Sequence, residues 1–398
     1  MDNEHYFCKM KCFLRKKIGD RVVNGHPWIF GNELGDSEGT AEPGDIVEVY
    51  SYNGSFVGKG YINPASQIRI RLLTSDKDDV IDDNFFYKRI LQAWEYRKQI
   101  GYTENCRLIF GEADLLPALI IDKFNDYFVI QTLALGIEKW KPAIVAAINS
   151  IFKPKGIYQR NDVPVRTLEG MEQVKGFLSD PFDTNIILKE NGLKFHVDIE
   201  NGQKTGYFLD QQDNRRAIQH IVNGGDVLEA FCYTGTFSLH AAQYGAKSTL
   251  GLDISENAVA TARRNAELNG FEETCKFQAV NAFDVLKLWV KEGRRYDTVI
   301  LDPPAFTKSR EHIDKAVTGY KEINLRGMKL VKPGGFLVTA SCTNLVSPEL
   351  FLKTIELAAK DAKRSLRQVV WQTQSADHPI MWHIPSTQYL KFLIVQVM

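Results

Sequence analysis

Two segments about forty residues apart each end in a residue able to do chemistry: Val299-Ile-Leu-Asp302 and Phe336-Leu-Val-Thr-Ala-Ser-Cys342. Both runs are apolar and rich in β-branched residues, the pattern of a buried strand. Neighbouring strands of a sheet lie roughly 5 Å apart. If these two are parallel neighbours, Asp302 and Cys342 emerge side by side at the carboxyl edge, where open α/β sheets bind ligands. A carboxylate beside a thiol on that edge is a candidate for nucleophilic catalysis, because the thiolate is a strong nucleophile even when only a few per cent ionised. The competing reading of Cys342 is a small buried residue at a strand end.

Three earlier strand ends point to a bound cofactor. A strand over 226–231 leads into Cys232-Tyr-Thr-Gly-Thr-Phe-Ser238, a second over 248–253 ends in Asp253 before Ile254, and a third over 275–280 ends in Asn281-Ala-Phe-Asp284. In nucleotide-binding sheets a glycine turn lets the ligand approach the backbone, and an acid ending strand two receives the ribose hydroxyls. Asp253, 24 residues after Glu229, fits that acid. Asn281 or Asp284 offers an acceptor to an adenine amine, and Phe283 a face to the ring. The turn has one glycine, Gly235, where a dinucleotide fold wants three, so a pyrophosphate has no cradle. That departure favours an adenosyl ligand without phosphates, of which S-adenosylmethionine is the common one. Taken singly, each polar strand end also reads as a helix cap.

These strands must sit in a larger architecture. A chain of 398 residues exceeds one ordinary core, so two or three domains are expected. Residues 1–74 are short apolar runs broken by turns such as Glu42-Pro-Gly-Asp45, which predicts a small β-barrel; 75–184 mix helix and strand; 185–398 alternate strand and helix, which predicts a doubly wound parallel sheet. With 44% hydrophobic and 25% charged residues, no apolar run near the roughly 20 residues of a membrane span and a polar start, Met-Asp-Asn-Glu-His, a cytoplasmic protein is expected. Six cysteines at irregular spacing form no disulfide framework, and Cys8 with Cys12 lacks a second Cys/His pair, so no metal is expected. Net charge is zero, which argues against indiscriminate coating of nucleic acid. Even so, Lys9, Lys11, Arg15, Lys16, Lys17 and Arg21 face a single acid, Asp20, as a strip suited either to phosphates or to solvent.

The collinear motifs carry a resemblance. Asn24-Gly-His-Pro-Trp-Ile-Phe30, Gln159-Arg-Asn-Asp-Val-Pro-Val-Arg166, Glu190 to Asp198, Gly202-Gln-Lys-Thr-Gly-Tyr-Phe-Leu-Asp-Gln-Gln-Asp-Asn-Arg215, Tyr233 to Ser238, Asp302-Pro-Pro-Ala-Phe306 and Ser341-Cys342 resemble the large-subunit rRNA cytosine-5 methyltransferase I family along nearly the whole chain. The resemblance implies an N-terminal PUA domain, a small central α/β domain, a C-terminal Rossmann-like methyltransferase domain using S-adenosylmethionine, a ribosomal RNA partner and a homodimer. It assigns the cofactor to Gln203, Thr205, Asp210, Arg215, Glu229, Phe231, Tyr233, Thr234, Gly235, Thr236, Phe237, Asp253, Ile254, Asn281, Ala282, Phe283 and Asp302. Two positions depart from the family pattern: Asn281 stands where Asp is common, and Gln212 where relatives usually carry Arg.

The implied reaction explains the residue types. C5 of cytosine is a poor nucleophile; a Cys342 thiolate adding to C6 gives C5 the electron density to attack the methylsulfonium, and loss of the C5 proton then expels the thiolate. Asp302 would hold N3 and the amino edge, with Pro303, Pro304 and Phe306 against the base. Ala305 stands where two-cysteine RNA cytosine methyltransferases have a second Cys, so Cys342 acts without it. RNA reading falls to Lys16, Lys17 and Arg160, with His26, Trp28 and Phe30 either stacking on bases or closing the barrel core. Arg160, Asp162 and Arg166 face substrate or form ordinary ion pairs. Two other functions fit the motifs: an exocyclic amino methyltransferase, which has no need of Cys342, and an RNA-binding assembly factor without turnover.

Overall fold

A computed structural model describes residues 10–16, 20–307 and 309–398; Cys8, Lys9 and Lys17 lie outside them. The chain forms two compact units. One comprises Met1–Ile186, Val197–Leu209 and Ala376–Thr387, the other Ile187–His196, Asp210–Ser375 and Gln388–Met398. Among the described residues no helix is long and apolar enough to cross a membrane.

The first unit holds two sheets. Six strands, Met10–Leu14, Trp28–Phe30, Leu34–Gly39, Ile46–Tyr50, Phe56–Ile62 and Ile68–Thr74, form one sheet, antiparallel except where Met10–Leu14 runs parallel to Ile46–Tyr50. Alternation along these strands turns Cys12, Leu14, Ile29, Val47, Val49 and Ile70 into one core. The approach of strand Ile68–Thr74 demands glycine at Gly60, where a Cβ would lie 2.1 Å from the Arg71 carbonyl oxygen. The second sheet has five strands, in the order Val174–Phe177, Gly156–Asn161, Tyr127–Thr132, Leu119–Phe124, Asn105–Phe110, and helices Asp83–Gln99 and Lys141–Phe152 pack with it in a common core.

The second unit carries the strand ends of interest. In chain order it contains α1 (Gln212–Ala217), β1 (Asp226–Ala230), α2 (Thr236–Gln243), β2 (Ser248–Asp253), α3 (Glu256–Asn269), β3 (Cys275–Ala279), α4 (Ala282–Lys291), β4 (Tyr296–Leu301), α5 (Ile313–Leu330), β5 (Val331–Ser341), α6 (Pro348–Ala362), β6 (Leu366–Gln372) and β7 (Lys391–Val397). The sheet order is β3-β2-β1-β4-β5-β7-β6. From β3 through β5 all pairs are parallel, with helices alternating as expected. The sheet departs from an all-parallel one at β7, which enters antiparallel between β5 and β6. Burial explains the inversion of order. Phe392 to Val395 are all buried and suit an interior position, whereas Arg367, Gln368 and Val369 of β6 are exposed, as an edge strand tolerates.

Candidate active site

The carboxyl edge of this sheet begins with a strained turn. After β1, Phe231 (φ +68°), Tyr233 (φ +48°) and Gly235 (φ +78°) are left-handed; for the two non-glycine residues this costs on the order of 1–2 kcal/mol each. Gly235 is obligatory on two counts, because a Cβ there would also lie 2.7 Å from Phe277 Cε1. Among the bonds that hold the turn, Tyr233 N donates to Asp253 Oδ2 (2.8 Å), Asn265 Nδ2 to the Thr234 carbonyl (3.0 Å), Gly235 N to the Cys232 carbonyl (2.8 Å) and Cys232 N to the Leu252 carbonyl (2.8 Å). Glu229 is buried, and its carboxylate accepts from Ser238 N (2.8 Å) and Oγ (2.5 Å). Burial pushes its pKa up to about 8 against those hydrogen bonds, with the Asp302 charge adding to the rise. Thr234 and Phe237 are buried, Thr236 half-buried, and Phe237 stacks on Phe392 at 6.2 Å.

Next along the edge, Asp253 is half-buried and ties two segments together, its Oδ1 accepting from Ser255 N (2.9 Å). Ile254 beside it is 74% exposed, a large apolar side chain left in solvent. Asn281 caps α4 by accepting from Phe283 N (3.0 Å), and Ala282 is buried. The Phe283 ring lies 5.7 Å from Phe231 and 5.8 Å from Phe306. A carboxylate at the end of strand two, an exposed apolar residue next to it, a half-buried aromatic and a backbone turn with close approach form a donor and acceptor set that fits an adenosyl group.

At the other end of the edge stand the two residues of chemical interest. Asp302 and Cys342 are both half-buried, on adjacent parallel strands. They are not level. Leu301 pairs with Thr339, so Asp302 lies one residue past that mark and Cys342 three, two residues farther along. Gln211 Nε2 donates to Asp302 Oδ2 (2.9 Å) while its own Oε1 accepts from Asn214 Nδ2 (2.7 Å), which fixes the amide's orientation. Thr343 Oγ1 is shared by the Tyr320 hydroxyl (2.8 Å) and Phe306 N (3.3 Å), and the Phe306 and Tyr320 rings lie 4.5 Å apart. Burial raises the Tyr320 phenol to about 12 against its hydrogen bonds with Ser341 and Thr343, with smaller contributions to the rise from the charges of Cys342 and Asp302. Pro303 is buried and Pro304 exposed.

Other residues expected at the site have partners of their own. Arg215 is buried with its guanidinium on Glu190, Nε to Oε1 at 2.5 Å and Nη2 to Oε2 at 2.7 Å. Asp210 is buried and accepts from the Tyr389 hydroxyl (2.6 Å). Gln203 and Thr205 belong to the first unit, where Gln203 is exposed and Thr205 Oγ1 donates to Asp122 Oδ2 (2.5 Å), which also pairs with Arg107. In the same unit Arg160 is buried, donating to the Ile199 carbonyl (2.6 Å) and pairing with Asp162 (2.9 Å). Arg166 is likewise buried and paired with Glu138 (2.9 Å). Lys16 is exposed, its ammonium 5.4 Å from the Tyr52 ring. Arg21 is turned onto Glu33 (2.9 Å), and Trp28 Nε1 donates to Glu112 (2.8 Å). Among the described residues no group of three His, Cys, Asp or Glu side chains could hold a metal ion.

Gln211, Tyr320 and Lys391 escape the sequence reading. Gln211 sits inside a motif quoted for its neighbours, and nothing local marks it as the partner of Asp302. Lys391 opens an apolar strand and reads as a solvated end. Tyr320 lies in an amphipathic helix and reads as core.

Residues 169–381 match a family model for S-adenosylmethionine-dependent methyltransferases, and residues 13–75 a model for a PUA-like domain. The chain is 40% identical over 379 residues to a ribosomal RNA large subunit methyltransferase I of Shewanella denitrificans, covering 94% of this chain and 95% of that one. It is 39% identical over 376 residues to the protein of the same name from Alteromonas mediterranea, at the same coverage. In fold it is similar to a methyltransferase crystallised as a complex with SAH, with a TM-score of 0.83 at 21% identity over 97% of this chain and 99% of that one.

Proposed function

The chain belongs to the ribosomal RNA large subunit methyltransferase I family of S-adenosylmethionine-dependent methyltransferases, and on that premise we propose that it methylates C5 of a cytosine in large-subunit ribosomal RNA. Cys342 is the nucleophile and Asp302 the carboxylate that holds the base. The observation that carries this reading is the placement of both side chains, half-buried, at the carboxyl ends of the adjacent parallel strands β4 and β5.

Each residue has a part that its chemistry allows. Asp253 would accept from the ribose hydroxyls, Ile254 and Phe283 would line the adenine side, and Asn281 would accept from its amine; the cofactor would supply an electrophilic methyl group. The Gln211 amide keeps one Asp302 oxygen engaged and orients the carboxylate toward the N3 and amino edge of the base. The Cys342 thiolate forms a bond to C6, C5 takes the methyl group, and loss of the C5 proton returns the electron pair that breaks the bond to sulfur. Phe306, packed on Tyr320 and Phe283, gives the extruded base a ring to rest on. The PUA-like region through Thr74, with Lys11 and Lys16 exposed, contributes phosphate contacts.

The test is covalent trapping. RNA with 5-fluorocytosine at the target has no C5 proton to lose, so the wild-type protein should be captured as an adduct, whereas Cys342→Ala should give neither adduct nor methylated RNA while binding cofactor normally. A Cys342→Ala protein that still methylates would transfer the assignment to an exocyclic amino group.

A further inference from the structure

Lys391 opens a largely apolar strand and yet is 2% exposed. Its Nζ donates to the carbonyl oxygens of Thr343 (2.7 Å) and Tyr389 (2.8 Å). Two carbonyls satisfy two protons but neutralise no charge, and an ammonium out of water without a counter-ion is costly. The register and the hydrogen bonds place this ammonium beside the backbone on either side of Cys342. Lys391 is the cross-strand partner of Ser341, so its ammonium is anchored to the residue after Cys342 from the strand paired with the one before it. Burial brings the lysine down to about 8, and among the described residues the charge set against it, favouring the protonated lysine, is that of Cys342. Among the described residues, the other titratable groups around this corner are Asp302 at the end of β4, Tyr320 of α5, whose hydroxyl is on Thr343, Tyr389, whose hydroxyl is on Asp210, and Glu229, which interacts with Asp302.

From this arrangement we infer that Lys391 is a positioning residue that holds Cys342 as a thiolate before RNA arrives. One proton is shared by the two groups. Moving it from sulfur to nitrogen turns a buried amine and a thiol into an ion pair, so the cost of each charge is offset by the other. A thiolate formed this way is ready to add to C6, and the ammonium remains to meet it again on elimination. The inference rests on the reading of Cys342 as nucleophile, but its test reads the sulfur directly.

The rate of Cys342 alkylation by iodoacetamide is followed against pH by mass spectrometry of its peptide, in the full-length protein without RNA. Wild type should show a midpoint below the ordinary cysteine value of about 8.5. Lys391→Met should raise it by about one pH unit or more, Lys391→Arg should keep it near wild type, and methyl transfer by Lys391→Met should recover as pH rises. A wild-type midpoint at or above the ordinary value overturns the inference, even if neither variant folds. An unchanged midpoint in a folded Lys391→Met protein does so too. If Cys342→Ala still methylates RNA while the midpoint shifts as stated, the coupling stands and the nucleophile assignment alone fails.

Discussion

Replacing Arg215 by Met tests whether this guanidinium is structural. Its ion pair with Glu190 is among the most buried in the second unit, with the side chains 1% and 0% exposed. Removing one member leaves the other charge out of water, which costs about 3–5 kcal/mol. The environment predicts how that deficit varies with pH. His240 Nε2 lies 3.5 Å from Glu190 Oε1, and its pKa is lowered to about 4 by burial, with Glu190 raising and Arg215 lowering it. Its folded value lies below the unfolded 6.5, so in the wild type its contribution to stability is present above about 6.5 and lost as pH falls toward 4. Without Arg215 the Glu190 charge acts on His240 unopposed by the guanidinium, its folded pKa rises, and protonation supplies Glu190 with a new partner. The deficit should therefore be largest near pH 7.5 and shrink toward pH 5, by at most about 1.4 kcal/mol per pH unit for one proton. Urea unfolding at several pH values measures this, and Arg215→Met combined with Glu190→Leu should recover most of the loss at pH 7.5. A single variant that loses less than about 1 kcal/mol, or a double variant no more stable than the single, would rule out a buried structural ion pair here. A large loss of cofactor affinity with stability intact would make Arg215 a direct cofactor contact instead.

Two further outcomes follow from the same edge. Asp253→Ala should weaken cofactor binding by about 1–3 kcal/mol in calorimetry, since it removes a charge-assisted acceptor and also releases Tyr233 N from its strained turn; unchanged affinity would displace the cofactor from the end of β2. Glu229 has a folded pKa of about 8, above its ordinary 4.5, so its buried carboxyl contributes a stability that is lost as pH rises from about 4.5 to 8. Glu229→Gln should flatten the fall in urea midpoint between pH 6.5 and 8.5, and an identical pH profile in wild type and variant would count against a protonated Glu229.

Much of this protein is written locally. The segments over 226–231, 248–253, 275–280 and 299–302 become β1 to β4 to within a few residues, because a buried strand needs a largely apolar stretch and an edge strand such as β3 an alternating one, each with a polar stop visible in the sequence. The adjacency of β4 and β5, and with it the company of Asp302 and Cys342, follows from the alternation of strand and helix. What local pattern could not carry are properties of pairs far apart in the chain. The two-residue offset of Cys342 depends on which Cα faces which across two strands, and the antiparallel insertion of β7 on the relative burial of two terminal strands. Arg215 and Glu190, Gln211 and Asp302, and Lys391 and Thr343 are 25, 91 and 48 residues apart. A charged residue in a sequence looks the same whether solvated or buried; only the folded chain supplies the desolvation and the partner that decide what its charge does.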